Sequence, residues 1–336
     1  MDSALPITHS IVDADALGAT IRDYFALPGP FRCELLTRGM NDVYLVRAGD
    51  ARYAARLWRA GLHTDDEIAF ELDLLAHLKG DGVRIIEAVD PPGGRERFFA
   101  VEAPEGRRQV CLFPWVPGRP FHTLATPARA EMLGAEMARL HLSTIAFRPR
   151  VPRPIGYHRN ILAKQAGLFA RLGHRPADRS VFATAAERIC PAMEQAVATL
   201  PGGAVHGDIH VRNAFVADDG TINILDFDTC GEASYLHDVA SFLWATPYIG
   251  IHTGNPRLDD GINAAFITGY EQERTLTEDE RAALPLFVAA KELSFISGMS
   301  SSVNVIGHAS TRAFGWDWFT QSVRRHVAEA GLGEIA

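Results

Sequence analysis

The chain has 336 residues, 47% hydrophobic and 22% charged, which is long and apolar enough to bury a core as one large domain or two lobes and excludes disorder as the default. Its formal net charge of −8 repels phosphate backbones, so nucleic acid is not an expected general partner. The first residues lack the basic start and apolar core of a signal peptide, no stretch nears the roughly 20 apolar residues that cross a bilayer, and Cys33, Cys111, Cys190 and Cys230 form no CxxC pair, so we expect a cytoplasmic protein with reduced thiols, no membrane partner and no zinc site.

In chain order, the first third reads as strands with turns. CELLTRG (33–39) and DVYLVRAG (42–49) are short, partly alternating runs around a Gly-Met-Asn turn, and RYAARLW (52–58) follows a turn at Gly49 and Asp50. A helix comes next. Thr64 with Glu67 three residues on is a capping-box signature, Ile68, Leu72, Leu75 and Ala76 recur at helical spacing, and Gly80 is a plausible stop. VRIIEAVD (83–90), RERFFAVEA (95–103) and RQVCLF (108–113) read as further strands, with DPPGG as a turn between the first two. PWVPGRP (114–120) packs three prolines and a glycine into seven residues, which breaks both helices and ladders. Past it the texture becomes Ala- and Leu-rich, as in 127–144 and 179–200, with helical periodicity. We therefore expect a strand-rich lobe over 1–113, a hinge over 114–120 and a larger helical lobe over 121–336.

One segment interrupts the helices. AVHGDIHVRNAFVADDGTINILDFDTCGEA (204–233) holds two short apolar runs around an ADDG turn. Asp208 precedes the first run, Asn213 begins it, Asp226 closes the second and Asp228 follows. A hairpin brings its outer ends side by side, so Asp208, Asn213 and Asp226 are expected in one small volume. Two carboxylates and an amide oxygen are hard ligands suited to Mg²⁺, which keeps few protein ligands and shares its remaining positions with water and phosphates. His206 and His210 have HxxxH spacing, but Gly207 and Asp208 favour a loop over the helix that metal-binding histidines would need.

HGDIHVRN followed by ILDFD resembles the catalytic segment of the aminoglycoside phosphotransferase, choline kinase and homoserine-kinase-like group, which shares the protein-kinase-like fold. Asn213 lies 213 − 208 = 5 residues after Asp208, and Asp226 lies 226 − 208 = 18 after it; an ordered triple with strand-forming residues between is specific where a lone HxD is not. The resemblance runs from about Leu35 to about Ala245. It implies an α+β bilobal fold: an antiparallel sheet with one key helix first, then a larger, mainly helical part. It implies Asp208 as the base for a substrate hydroxyl, Asn213 and Asp226 as Mg²⁺ ligands, and ATP as phosphoryl donor. Asp228 either assists the metal or bonds backbone.

The nucleotide residues follow from the same resemblance. Gly39 and Asn41 sit in the turn between the first two strands, where glycine lets backbone N–H groups approach phosphate. The turn lacks the GxGxxG of protein kinases. Arg56 stands where the pattern has Lys; it stays charged when buried and can grip phosphate with two donors. Glu71 shares the apolar face of its helix, so it needs a cation, and Arg56 is the natural one. Phe113 borders the adenine, with the carbonyl of Pro114 and the N–H of Val116 holding it. Trp115 packs. Asp238 resembles a helix-start Asp that braces the catalytic loop. The aromatics of GWDWFTQSVRRH (315–326) read as core. The implied activity is ATP- and Mg²⁺-dependent transfer to a hydroxyl of a small molecule: an amino alcohol, a hydroxy amino acid such as homoserine, or an aminoglycoside-like compound. The RLWRAG segment leans the reading toward homoserine-kinase-like members. A Ser/Thr protein kinase of the same bacterial fold and a nucleotide-binding pseudokinase module are the rivals, the latter because of Arg56. Oligomeric state is not legible.

Overall fold

The computed structural model describes residues 5–156, 176–306 and 316–335. The chain divides into two compact units, 1–80 with 85–117 and 81–84 with 118–336. The fold is α+β, an antiparallel sheet in the first unit and a mainly helical second unit.

The first unit is built on a five-stranded antiparallel sheet. Its strands are β1 (Phe31–Arg38), β2 (Asp42–Ala48), β3 (Ala51–Leu57), β4 (Phe98–Ala103) and β5 (Gly106–Pro114), in the order β1-β2-β3-β5-β4. Alternation gives β2 one buried face, with Tyr44 and Val46 inside. That face joins Leu57, Val110 and Leu112 and receives Leu17, Ile21 and Phe25 of helix α1 (Ala14–Phe25). This helix is not expected from the turn-and-strand reading of the N-terminal part. Its signals are local all the same: Asp13 caps it by accepting from the Ala16 N–H at 2.9 Å, and its apolar residues recur every fourth position.

Helix α2 (Asp65–Gly80) begins at a full capping box: the Glu67 N–H donates to Thr64 Oγ1, and the Thr64 N–H donates to Glu67 Oε2. The expected strand at Val83–Asp90 does not form. Its backbone bonds are divided between the two units: the Arg84 carbonyl accepts from Ile224 in the second, while the Val89 N–H donates to Leu112 in the first. A run shared in this way cannot hold a continuous ladder. The hairpin turn expected at ADDG is present, with Gly220 at φ +83.

In the second unit, β6 (Arg119–Pro120), β8 (Ala214–Val216) and β9 (Ile222–Ile224) form one small sheet, and β7 (Gly202–Val205) pairs with β10 (Gly231–Ser234). The helices are α3 (Phe121–Leu124), α4 (Pro127–Thr144), α5 (Pro176–Val197), α6 (Leu236–Thr253), α7 (Asp260–Glu273), α8 (Glu278–Ile306) and α9 (Trp316–Glu329). Helices α4 and α7 cross at glycines: a Cβ on Gly134 would stand 2.0 Å from the Phe266 carbonyl oxygen, and one on Gly269 1.8 Å from that of Glu131. Phe319 of α9 is buried and packs its ring against Phe295 and Tyr248, as the core reading of that aromatic run requires; Gly315 lies outside the described residues, as do residues 157–175 of the inserted stretch near 155–200. Among the described residues, no helix is long and apolar enough to cross a membrane.

Candidate active site

The loop that joins β7 to β8 is fixed from below by one carboxylate. Asp238, in the first turn of α6, is fully buried and accepts three hydrogen bonds: from the His206 N–H (2.7 Å), the Gly207 N–H (2.8 Å) and His141 Nε2 (3.1 Å). Burial pushes its carboxyl up, but the His141 hydrogen bond and the surrounding histidines bring it down to about 2. Gly207 is at φ +89, and a Cβ there would stand 2.1 Å from the Thr229 carbonyl oxygen, so this position excludes a side chain. His237 Nε2 donates to the Gly207 carbonyl at 2.9 Å. His206 donates through Nε2 to the Leu225 carbonyl at 2.8 Å and accepts the Asp208 N–H at Nδ1. Both its ring nitrogens are thus occupied, which leaves no lone pair for a metal.

Asp208 emerges from this fixed base. Its side chain is 40% exposed, and Lys291 Nζ of α8 lies 2.6 Å from its Oδ1. His210 Nε2 stands 3.7 Å from the other oxygen. Desolvation pushes the Asp208 carboxyl up, yet Lys291 and the two histidines outweigh it and hold the group well below the usual carboxylate range. His210 is pushed down to about 4 by burial, with Lys291 adding to it and Asp208 opposing. At neutral pH the result is an ionised Asp208 and an uncharged His210. Such a carboxylate can accept a hydrogen bond from a hydroxyl and orient it.

Asn213 is tied to the same loop. Its Nδ2 donates to the Asp208 carbonyl at 3.0 Å, which leaves Oδ1 as its acceptor end. Its own carbonyl accepts from the Leu225 N–H at 2.8 Å, so Asn213 and the residue before Asp226 are held across the start of the β8–β9 pair. Asp226 lies two residues past β9, not at its end as expected. It is exposed and takes the left-handed conformation, φ +65, which Asp tolerates better than most residues but which still marks a local constraint. Asn213 Oδ1 and the exposed Asp226 carboxylate are hard oxygen donors of the kind Mg²⁺ takes. Asp228 is buried; the Arg153 guanidinium donates to its carbonyl at 2.9 Å.

In the first unit, Arg56 of β3 and Glu71 of α2 form a buried ion pair through Arg56 NH2 and Glu71 Oε1, the partnership that an inward Glu on an apolar face demands. The Arg56 guanidinium also lies over the Trp58 ring (4.6 Å) and the Phe113 ring (4.8 Å). The Gly39–Asn41 turn joins β1 to β2, with the Gly39 N–H donating to the Asn41 carbonyl. A Cβ on Gly39 would meet nothing nearer than 3.9 Å, and its φ is not positive, so the hairpin alone does not require glycine there. Pro114 ends β5 exposed, and Val116 follows half-buried. Trp115 packs under the Arg52 guanidinium.

A model of the phosphotransferase enzyme family, APH, matches residues 34–276. The chain belongs to this family. A homoserine kinase of Rhodopseudomonas palustris (strain BisB18) is 26% identical to this APH-family chain over 275 residues, 81% of the chain and 79% of the relative. Among solved structures, the amicoumacin kinase hAmiN in complex with AMP-PNP, Ca²⁺ and Ami aligns with TM-score 0.74 at 18% identity, covering 93% of each chain. The microcompartment-associated aminopropanol kinase aligns with TM-score 0.73 at 23% identity, covering 96% of this chain and 99% of that one. The two likenesses establish the protein-kinase-like fold, and the APH family is one of small-molecule phosphotransferases.

Two side chains of this APH-family chain were not expected from the sequence: Lys291 beside Asp208, and Arg59 at the β1–β2 turn. Lys291 comes from a helix 83 residues downstream of Asp208. Its signal is scarcity: the chain has three lysines, and this one sits inside the apolar run LPLFVAAKELSF. Arg59, in the RLWRAG segment, donates to the carbonyls of Gly39 (2.6 Å) and Met40 (3.2 Å).

Proposed function

We propose that the protein transfers the γ-phosphate of ATP, with Mg²⁺, to a hydroxyl of a small molecule. The observation that carries this reading is Asp208: a partly exposed carboxylate kept ionised by Lys291, on a loop locked by Asp238 and tied to Asn213. In this reading Asp208 orients the acceptor hydroxyl and takes its proton as the oxygen attacks phosphorus. Asn213 and Asp226 would hold the metal, which when bound would neutralise charge on the phosphates. Phosphoryl transfer asks little covalent work of the protein, and positioning with charge neutralisation does most of it. Arg56, held by Glu71, serves as the phosphate-gripping cation, the Gly39–Asn41 turn lies against phosphates, and the adenine lies by Phe113 with the Pro114 carbonyl and the Val116 N–H. The acceptor belongs to the amino alcohols, hydroxy amino acids or aminoglycoside-like compounds; the homoserine kinase relative supports the hydroxy amino acid.

A panel of such hydroxyl compounds, scored by ADP release with and without Mg²⁺, tests the reading, with a protein substrate as the control against the protein-kinase rival. Asp208→Ala is expected to abolish transfer while leaving nucleotide binding measurable, and Asp226→Ala to weaken metal–nucleotide binding itself. Equal loss of ATP affinity in both variants counts against this division of roles, and ADP release on the protein substrate alone counts against a small-molecule acceptor.

A further inference from the structure

The β1–β2 turn has no GxGxxG, so what fits it to hold phosphate must lie elsewhere, and Arg59 is the residue that meets it. Its guanidinium donates through Nε and NH2 to the carbonyls of Met40 and Gly39. The side chain is 9% exposed, and NH1 is buried without a hydrogen-bond partner. A buried guanidinium nitrogen left open is costly unless something else satisfies it. The turn it touches is exposed from Arg38 to Met40, so the buried cation lies directly beneath a surface open to ligand.

The surrounding charges leave it uncompensated. The charged groups facing Arg59 are Asp42, Glu105, Arg108 and Arg38. Asp42 is fully buried and pairs with Arg108 NH2 at 2.8 Å, with His9 at 3.2 Å and with Arg38 at 3.8 Å. Glu105 faces Arg108 at 3.5 Å and His9 at 3.8 Å, and it accepts from the backbone N–H and hydroxyl of Ser10. Three guanidiniums thus share two carboxylates even with His9 uncharged, and both carboxylates lie against Arg108. The excess charge falls beneath the turn.

We propose that Arg59 is the phosphate-positioning residue of the β1–β2 turn: by holding the Gly39 and Met40 carbonyls from the buried side it fixes the conformation of the exposed turn, and its uncompensated charge adds attraction for a polyphosphate. This rests on the nucleotide reading above. It explains why Gly39 is free of the steric need for glycine: its open face serves the ligand. A cation beneath an exposed turn, bonded to two of its carbonyls, supplies from one buried side chain what a run of glycines supplies elsewhere: a backbone fit to meet an anion. Arg suits the task because its fork reaches two carbonyls at once, which the single ammonium of Lys cannot do in the same geometry.

The test is a phosphate ladder on the full-length protein, needing no knowledge of the acceptor. Binding of ATP, ADP, AMP and adenosine is measured by titration calorimetry with Mg²⁺ for the wild type, Arg59→Met and Arg59→Lys. The expected result is a loss of at least about tenfold for ATP and ADP in R59M, a smaller loss for AMP and none for adenosine, with R59K between the two. A variant that merely loosens the fold would lower all four alike, and that result overturns the proposal, as does unchanged ATP affinity. Should R59M fail to fold, R59K and hydrogen exchange of the wild-type turn carry the test: the amides of Met40 and Asn41 are expected to gain protection with ADP and not with adenosine, and equal protection by both refutes it. A wild type that binds none of the four ligands removes the nucleotide reading itself, which is a different outcome from binding that ignores Arg59.

Discussion

Asp238→Asn isolates the carboxylate on which the β7–β8 loop rests. The wild-type side chain accepts from His206 N–H and His141 Nε2 at Oδ2 and from Gly207 N–H at Oδ1. Asparagine has one oxygen. Placed at Oδ2 it keeps two bonds, and its NH2 then faces the Gly207 N–H, donor against donor. That forfeits a charge-assisted bond and leaves buried donors unmatched, about 3 kcal/mol together. The carboxyl itself gives a similar figure: its pKa falls from 3.8 to about 2, a little under two units, or about 2.5 kcal/mol of preference for the ionised form in the fold. Because this pKa is depressed, the stabilisation is complete above the unfolded carboxylate value, near 4, and fades as pH falls through about 2. D238N is therefore expected to lose about 3 kcal/mol in urea unfolding at pH 7, and the gap to wild type should narrow between pH 5 and 2.5. ADP release should fall in kcat, since the loop that carries Asp208 is disturbed. A stability loss under about 0.5 kcal/mol, or a gap that stays constant down to pH 2.5, refutes the account of Asp238 as the ionised brace of this loop.

Lys291→Met removes the cation on Asp208 Oδ1 while desolvation of the carboxyl remains, so the Asp208 pKa rises; the acid limb of the kcat profile should move up by about one unit or more, and an unmoved limb would show that Lys291 does not set the charge of the proposed base. Gly269→Ala forces a Cβ to 1.8 Å from the Glu131 carbonyl oxygen, so α4 and α7 must separate; a loss of about 2–3 kcal/mol is expected in thermal unfolding, and an unchanged melting temperature would mean that this crossing is not close-packed.

Much of the fold was legible because its causes are local. The β1–β3 meander follows from alternation and turn residues, and α2 from a capping box written in four residues, Thr64 to Glu67. Where a segment's backbone partners are remote, local pattern misled: Val83–Asp90 has the residues of a strand, but Arg84 bonds in one unit and Val89 in the other. Helix α1 carried an N-cap and an i, i+4, i+8 apolar row, the signals of a helix beneath a sheet.

The site divides along the same line, and the contrast between Glu71 and Lys291 shows why. An acid on an apolar helix face must find a cation, and Arg56 was close enough in sequence, on the preceding strand, to be named as its partner. Lys291 poses the same demand with the sign reversed: a lysine in an apolar helix, 7% exposed, must find an anion. The demand is readable from the sequence, but its answer is not, because Asp208, Asp226, Asp228 and Asp238 all lie in a polar segment far upstream and local spacing cannot choose among them. The backbone decides: Asp238 is consumed by the His206 and Gly207 amides, Asp228 is buried with its carbonyl on the Arg153 guanidinium, Asp226 lies past β9 and exposed, and Asp208 places an oxygen 2.6 Å from the ammonium. The ion pair that holds the proposed base ionised is thus a consequence of the loop's bracing, and disturbing either one should be felt at the same carboxylate.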